Sequence, residues 1–219
     1  MDSSQQSLSI ELSRAIRASH MQLNRLITAR LSLCLPPHAT KPFLYVSGMT
    51  AFSHIYSAIE TAMDELLSNP NTDTRMSQML HTLHTTGLPR SDRLAQDLFA
   101  IGQLHNQSTC PPQTQLQILN DHTAQYRADL QTLLLARPHL LLAWSWNMYL
   151  AIFNGGRFIR QALRDAGYEY WSSGSEKESH SHSHSHGQPQ LRFWEFDGDM
   201  DGEDIKDAFK LNLEAARKW

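Results

Sequence analysis

The chain has 219 residues, of which 41% are hydrophobic and 19% are charged, and its formal net charge is -3 at pH 7. This length and balance predict one globular domain with a sizeable core and exclude an intrinsically disordered chain. The small negative charge, with no evident face rich in lysine and arginine, argues against a nucleic-acid-binding protein.

Apolar residues recur at the three-and-four spacing of helices along most of the chain, and no alternating run is long enough to predict a sheet. The predicted fold class is therefore all-α, with one multi-helical domain over residues 1–219. Ser91 is expected to cap the fourth helix, Pro138 to lie in the first turn of the sixth, and 191–196 to be extended. The predicted helices cover residues 7–33, 43–67, 76–84, 91–105, 113–136, 138–167 and 202–217.

His20 lies on the apolar face of the first predicted helix, in register with Leu12, Ile16, Leu23 and Ile27. A histidine in that place has two explanations. It is either a core residue whose ring nitrogens bond to the backbone, or an axial ligand of heme iron, because an imidazole in an apolar pocket commonly binds iron. His20 by itself does not decide between them.

Two adjacent glycines, Gly155 and Gly156, interrupt the sixth predicted helix. Each interior glycine destabilises a helix by about 1 kcal/mol relative to alanine. Either the helix bends there, or a flat and bulky ligand approaches the backbone where no Cβ is tolerated. The pair therefore predicts either a bent helix in a plain bundle or a protein that clamps a large planar ligand.

Residues 172–190 are rich in serine, histidine and charged side chains and predict a disordered insertion within the domain. The alternating His180, His182, His184 and His186 are typical of loose binding of a divalent metal such as Zn²⁺, Ni²⁺ or Cu²⁺. The other explanation is a hydrophilic insertion without a metal role.

No segment predicts export or a membrane anchor in this chain. The amino-terminal segment is polar, and an Arg-Pro-His triplet interrupts the longest apolar run, residues 133–153. Cys34 and Cys110 lack CxxC spacing, which favours a reducing compartment and leaves a single bridge between them open. We expect a soluble, intracellular protein, cytoplasmic and monomeric.

Five segments, in the same order, resemble the heme oxygenase family, and the resemblance extends over most of the chain. They are LSRAIRASHMQLNRLI around His20, SHIYSAIETAMDEL around Tyr56, LPRSDRLAQDLFAIG from Leu88, ARPHLLLAWSWNMYLAIFNGGRF through the glycine pair, and FWEF with the following Phe209 and Lys210. A divergent eukaryotic, fungal member of the family is expected.

The resemblance implies that heme lies between a proximal helix and a distal helix. His20 falls on the family's iron-ligand position, and Gly155 and Gly156 fall on the distal helix with Asn154 beside them. It further implies that Tyr56 belongs to the cofactor site and that cations at the rim bind the propionates. The cation candidates are Arg17, Lys206 and Lys210.

The resemblance also implies a reaction in which heme is both cofactor and substrate. The products are biliverdin, carbon monoxide and ferrous iron, and an NADPH-dependent reductase supplies the electrons.

This sequence departs from the family in the distal helix and in the last helix. Ala151 and Ile152 stand where the family has a glycine and an aspartate that holds a water network, and an isoleucine neither donates nor accepts a hydrogen bond. Glu214 stands where the family has an arginine. Three functions therefore remain open: heme cleavage, heme binding without cleavage in a carrier, sensor or peroxidase-like protein, and a helical protein of this fold without heme.

Overall fold

Helices account for nearly all the regular structure in the computed structural model, which describes residues 7–104, 113–172 and 190–219. Within those ranges no strand occurs, so the all-α prediction is confirmed. The helices are α1 (Leu8–Leu33), α2 (Phe43–Ser68), α3 (Thr74–Leu83), α4 (Ser91–Leu104), α5 (Gln113–Ala136), α6 (Leu140–Asp165), α7 (Tyr168–Trp171) and α8 (Asp199–Ala216), with a 3-10 turn (Arg192–Trp194) between α7 and α8.

Side-chain and backbone chemistry at the helix ends explains several of these bounds. The carboxylate of Asp73 accepts the backbone N–H groups of Arg75 and Met76, at 3.0 and 3.1 Å, and so caps α3. Gly167 follows α6 with a φ of +79°, a conformation that favours glycine. The sequence signals for these two ends are local, and the predicted ends lie within two residues of the observed ones.

Two predictions about helix starts are wrong. Ser91 is the first residue of α4 and not its cap, because Glu60 of α2 accepts the N–H groups of Arg90 and Ser91 at 2.6 and 3.0 Å. Pro138 lies in the turn before α6 and not in its first helical turn. In both cases the chain uses a partner or a turn that the local sequence does not specify.

The segment after the histidine-rich stretch is also not extended. Residues Arg192–Trp194 form a 3-10 turn, because the buried carboxylate of Asp97 accepts two of its backbone N–H groups. The predicted start of the last helix at Gly202 is close to what is observed. Positive φ angles at Met200, Asp201 and Gly202 interrupt the first residues of α8, and regular helix follows them.

An aromatic cluster at the centre of the fold joins α2, α6, α8 and the 3-10 turn. The ring of Tyr56 lies 6.0 Å from that of Tyr149 and 5.2 Å from that of Phe193, and Tyr149 lies 5.9 Å from Phe209. All four side chains are buried. The two pairs with Phe193 and Phe209 are edge-to-face, and such pairs add about 0.5–1.5 kcal/mol each beyond the burial of their area. The cluster therefore fixes α6 relative to the rest of the domain.

Candidate functional site

The inward face of α1 is covered at both ends and uncovered in the middle. Residues on this face recur about every 3.6 positions, which places Leu12, Ile16, His20, Leu23 and Ile27 together. Leu12, Ile16 and Ile27 are half-buried, whereas His20 is exposed and Leu23 keeps 46% of its surface exposed. The helix thus packs on the domain before His20, through Leu12 and Ile16, and after it, through Leu31, and its face between these contacts is uncovered. Below, the gap means the space over this uncovered stretch of α1.

His20 is not a satisfied core histidine. No residue of α1 is buried, and within the described ranges the His20 imidazole has no hydrogen bond or ion pair. The first of its two explanations is therefore wrong. An exposed imidazole on the inward face of a helix is instead free to bind a ligand that enters the gap.

The amino-terminal end of α1 is fastened to α8 by Glu214. Its carboxylate accepts the N–H groups of Leu8 and Ser9 at 3.0 and 2.9 Å and the hydroxyl of Ser7. Partial burial acts to raise the pKa of Glu214, but these hydrogen bonds outweigh it and lower the pKa to about 2. Glu214 therefore serves as the N-terminal acceptor for α1, which accounts for a glutamate at this position.

Further contacts hold α1 at both ends. Arg217, the residue after α8, forms an ion pair with Glu11 at 2.8 Å. Just beyond the carboxyl-terminal end of α1, the buried hydroxyl of Tyr170 donates to the carbonyl of Cys34 at 2.6 Å. The helix that carries His20 is thus anchored on either side of its uncovered middle. Cys110, the second cysteine, lies outside the described residues.

The glycine pair lies inside an unbroken α6, and its two members have different surroundings. A Cβ on Gly156 would lie 3.2 Å from Cγ2 of Ile152 and 3.3 Å from Cε3 of Trp194, which is tighter than ordinary contact. A Cβ on Gly155 would meet no described atom within 4 Å. Packing therefore explains the glycine at 156 and does not explain the one at 155. The bare backbone at Gly155 fits the close approach of a planar ligand.

The residues around the pair offer little hydrogen bonding to such a ligand. Ile152 is 3% exposed, and its position is occupied by apolar packing. Asn154 is exposed, and within the described ranges its side chain has no hydrogen-bonding partner. The structure thus supplies no acceptor at position 152 and one amide at 154.

Tyr56 belongs to the core. It is 2% exposed, and its hydroxyl donates to the carbonyl of Met148 in α6 at 2.9 Å. Burial, with the charge of Glu60 as a smaller contribution, raises its pKa well above the ordinary value of a tyrosine. The structure therefore gives Tyr56 a role in packing α2 on α6 and leaves it no surface for a ligand in this arrangement.

The three cations implied at the rim lie on α1 and α8. Arg17 is exposed on α1, one turn before His20. Lys206 and Lys210 are one turn apart on α8, which contacts both α1 and α6. Lys206 is paired with Glu203 at 3.3 Å, and Lys210 lies 3.9 Å from Asp207. Both lysines are therefore partly neutralised by their own helix.

Two other expectations concern metal binding by the histidine tract and a membrane anchor. The histidine tract, His180 to His186, lies outside the described residues, and those that are described contain no group of three or more metal-binding side chains. No helix in the described ranges is long and apolar enough to span a bilayer.

Comparison with known proteins identifies the family. The heme oxygenase family model matches residues 6–217. The chain is 25% identical over 160 residues to the heme-binding protein HMX1 of Saccharomyces cerevisiae, a match that covers 67% of this chain and 46% of that protein, so the chain spans about half of this relative's length. It also shares its fold with heme oxygenase 2 from Chlamydomonas reinhardtii, whose crystal structure was solved without heme, with a TM-score of 0.65, 22% identity and coverage of 96% of this chain and 84% of that one. The chain therefore belongs to the heme oxygenase family.

Proposed function

We propose that this protein binds heme in the gap between α1 and α6, with His20 as the axial ligand of the iron. The observation that carries the proposal is the uncovered middle of α1. A helix anchored at both ends exposes an imidazole and Leu23 on the face that should pack inwards. The apolar surface exposed there is best explained by a ligand that covers it.

The chemistry of the residues present supports heme as the ligand. Neutral imidazole is a common ligand of heme iron. Leu23 and Leu26 keep 46% and 45% of their surfaces exposed on α1, and covering such side chains contributes roughly 25 cal/mol per Å². On α6, a Cβ at Gly155 would meet no described atom within 4 Å, which leaves room for a planar ligand against the backbone. Arg17, Lys206 and Lys210 provide positive charge for the two propionates.

Family membership favours oxidative cleavage of the bound heme as the reaction. Heme then supplies the redox-active iron and is also the substrate, and the products are biliverdin, carbon monoxide and ferrous iron. An NADPH-dependent reductase is the proposed electron donor. The protein's own part is to hold the iron through His20 and to limit access from the distal side with α6.

The apolar environment of Ile152 favours a second candidate, a heme-binding protein that does not cleave heme. A preorganised hydrogen-bond donor or acceptor at a reacting oxygen contributes about 10²–10³ in rate in other enzymes. Position 152 cannot provide one, because a buried isoleucine fills it. In this case the protein serves as a carrier or sensor, or supports peroxidase-like chemistry.

Titration with hemin tests the proposal. The wild-type protein should give a Soret band at one equivalent, and His20→Ala should abolish or shift it. His122→Ala is the matched control, because His122 is an exposed histidine on α5, which packs against α2. A wild-type protein without a Soret band would contradict heme binding, and an unchanged band in His20→Ala would contradict the assignment of the ligand.

Turnover is measured by adding a reductase and NADPH to the heme complex. Loss of the Soret band together with a bilin absorption and released carbon monoxide supports cleavage. A stable ferrous spectrum supports the carrier or sensor function. The two candidates are thus separated in one cuvette.

A further inference from the structure

Asp97 of α4 is the one buried carboxylate among the described residues, with 1% of its surface exposed. It takes part in no salt bridge within those ranges, since the guanidinium of Arg192 donates to Gln96 instead, at 2.7 Å. Its two oxygens accept the backbone N–H groups of Arg192 and Phe193 at 3.1 and 2.8 Å. A buried carboxylate without an ion pair is energetically costly, and these two hydrogen bonds offset that cost while they hold the 3-10 turn.

The other end of the 3-10 turn is held by Arg93 of α4 and by Arg90, the residue just before α4. Arg90 is fully buried, and its guanidinium donates to the carbonyl of Glu195 at 2.6 Å while lying 3.9 Å over the ring of Phe196. Arg93 donates to the same carbonyl at 3.2 Å. The turn is therefore fixed to α4 at both its beginning and its end.

Trp194, the last residue of this turn, transmits the position of the turn to α6. Its ring edge lies 3.3 Å from the place that a Cβ on Gly156 would take, and its carbonyl accepts a hydrogen bond from Arg160 at 3.1 Å. Its indole N–H donates to the hydroxyl of Tyr45 in α2 at 3.0 Å. Trp194 thus touches α6 at the glycine pair itself and one turn later.

We infer that Asp97 is a positioning residue for the distal glycine pair: by holding the 3-10 turn, it sets where Trp194 presses on α6 at Gly156. Because adjacent residues of a helix point about 100° apart, the contact at Gly156 also fixes the direction in which Gly155 faces. The effect of Asp97 on heme binding rests on the proposed function, in which Gly155 faces heme. Asp97 itself touches no ligand.

A double-mutant cycle on the protein without heme tests the mechanical link. The variants are Asp97→Asn, which keeps one acceptor oxygen, Gly156→Ala, which adds a methyl group against Trp194, and their combination. If Asp97 holds the tryptophan in place, releasing the turn lets it yield to the methyl group. The Tm of the double variant should then be higher than the sum of the two single changes predicts. Additive changes overturn the inference, whether or not the protein binds hemin.

The hemin complex tests the consequence for the site. Asp97→Asn should weaken hemin binding about tenfold, the effect of one lost charge-assisted hydrogen bond, and should change the spin state seen by electron paramagnetic resonance. Leu134→Val is the control, a core substitution on α5, which packs against α2. The variants are compared at a temperature where both are folded by circular dichroism. Trp194→Phe, which removes the ring edge at Gly156, should reproduce the spectral change.

The outcomes separate this inference from the proposed function. A wild-type protein that gives no Soret band contradicts heme binding, while the double-mutant cycle still decides whether Asp97 controls the contact at Gly156. A hemin complex of Asp97→Asn with wild-type affinity and spectrum overturns the positioning role. A spectral change of the same kind in Leu134→Val overturns it as well.

Discussion

Alanine at Gly155 should stabilise the protein without heme and weaken its binding of heme. In the structure, a Cβ at this position meets no described atom within 4 Å, so the substitution removes the cost of an interior glycine and adds no clash. That cost is about 1 kcal/mol in a helix. In a chain of this size, 1 kcal/mol raises Tm by about 2–4 °C. A flat ligand over the same backbone would meet the new methyl group, so hemin affinity should fall.

Gly156→Ala is the informative comparison, because the two sites are adjacent in one helix. Its methyl group would lie 3.2 Å from Ile152 and 3.3 Å from Trp194, so these neighbours must shift by a few tenths of an ångström. The clash offsets the gain in helix propensity, and Tm should rise less than for Gly155→Ala or fall. Gly102→Ala on α4 is the control, since its Cβ also meets open space and α4 does not border the gap.

Thermal unfolding followed by circular dichroism gives the Tm values, and hemin titration gives the affinities. The expected pattern is a higher Tm for both Gly155→Ala and Gly102→Ala, with weaker hemin binding in the first variant only. A lower Tm for Gly155→Ala would show that the added methyl group clashes with a neighbour, and would refute the open space at this position. Unchanged hemin affinity would refute the close approach of heme to α6.

Three further predictions concern side chains around the site. Glu214→Gln weakens the acceptor for the start of α1 and should lower the free energy of unfolding by about 1–2 kcal/mol in urea titrations and weaken hemin binding; unaltered values would contradict the anchoring of α1. Ile152→Asp places a carboxylate in an apolar position that is 3% exposed, so it should lower the free energy of unfolding by several kcal/mol. The same variant should raise the rate of heme cleavage if the missing carboxylate limits turnover. An unchanged cleavage rate would count against that account. Burial raises the pKa of Asp97 from 3.8 to about 6, against the lowering effect of its two backbone hydrogen bonds. The folded protein therefore holds this proton more tightly than the unfolded chain, and the free energy of unfolding of the wild type should fall relative to that of Asp97→Asn as pH rises from about 4 to about 6. A difference between the two free energies that stays constant over this pH range in urea titrations would refute the prediction.

The parts of the fold that the sequence predicts are those set by local pattern. The apolar spacing in residues 8–33 and 113–136 places α1 and α5 within one residue of their observed bounds. The glycine pair and His20 point to α6 and α1, the helices of the proposed heme site, for the same reason, since each is unusual within its own helix. Pattern along one helix is thus enough to find these features.

The missed features all depend on contacts between distant parts of the chain. Glu214 anchors residues more than 200 positions earlier, and Asp97 bonds to residues about 95 positions later. No spacing rule connects such partners. Tyr56 was expected at the cofactor because of its motif, whereas the aromatic cluster encloses it. The sequence does not show whether the hydroxyl of a tyrosine will bond to a ligand or to the backbone of a neighbouring helix.

Chemical rescue of His20→Ala tests the central claim most directly. The wild-type hemin complex should show the absorption and electron paramagnetic resonance spectra of imidazole-ligated iron, and His20→Ala should lose them. Added imidazole should restore the wild-type spectra, because it fits the space left by the side chain and supplies the same nitrogen ligand. A His20→Ala complex that keeps the wild-type spectra without imidazole would show that another residue binds the iron.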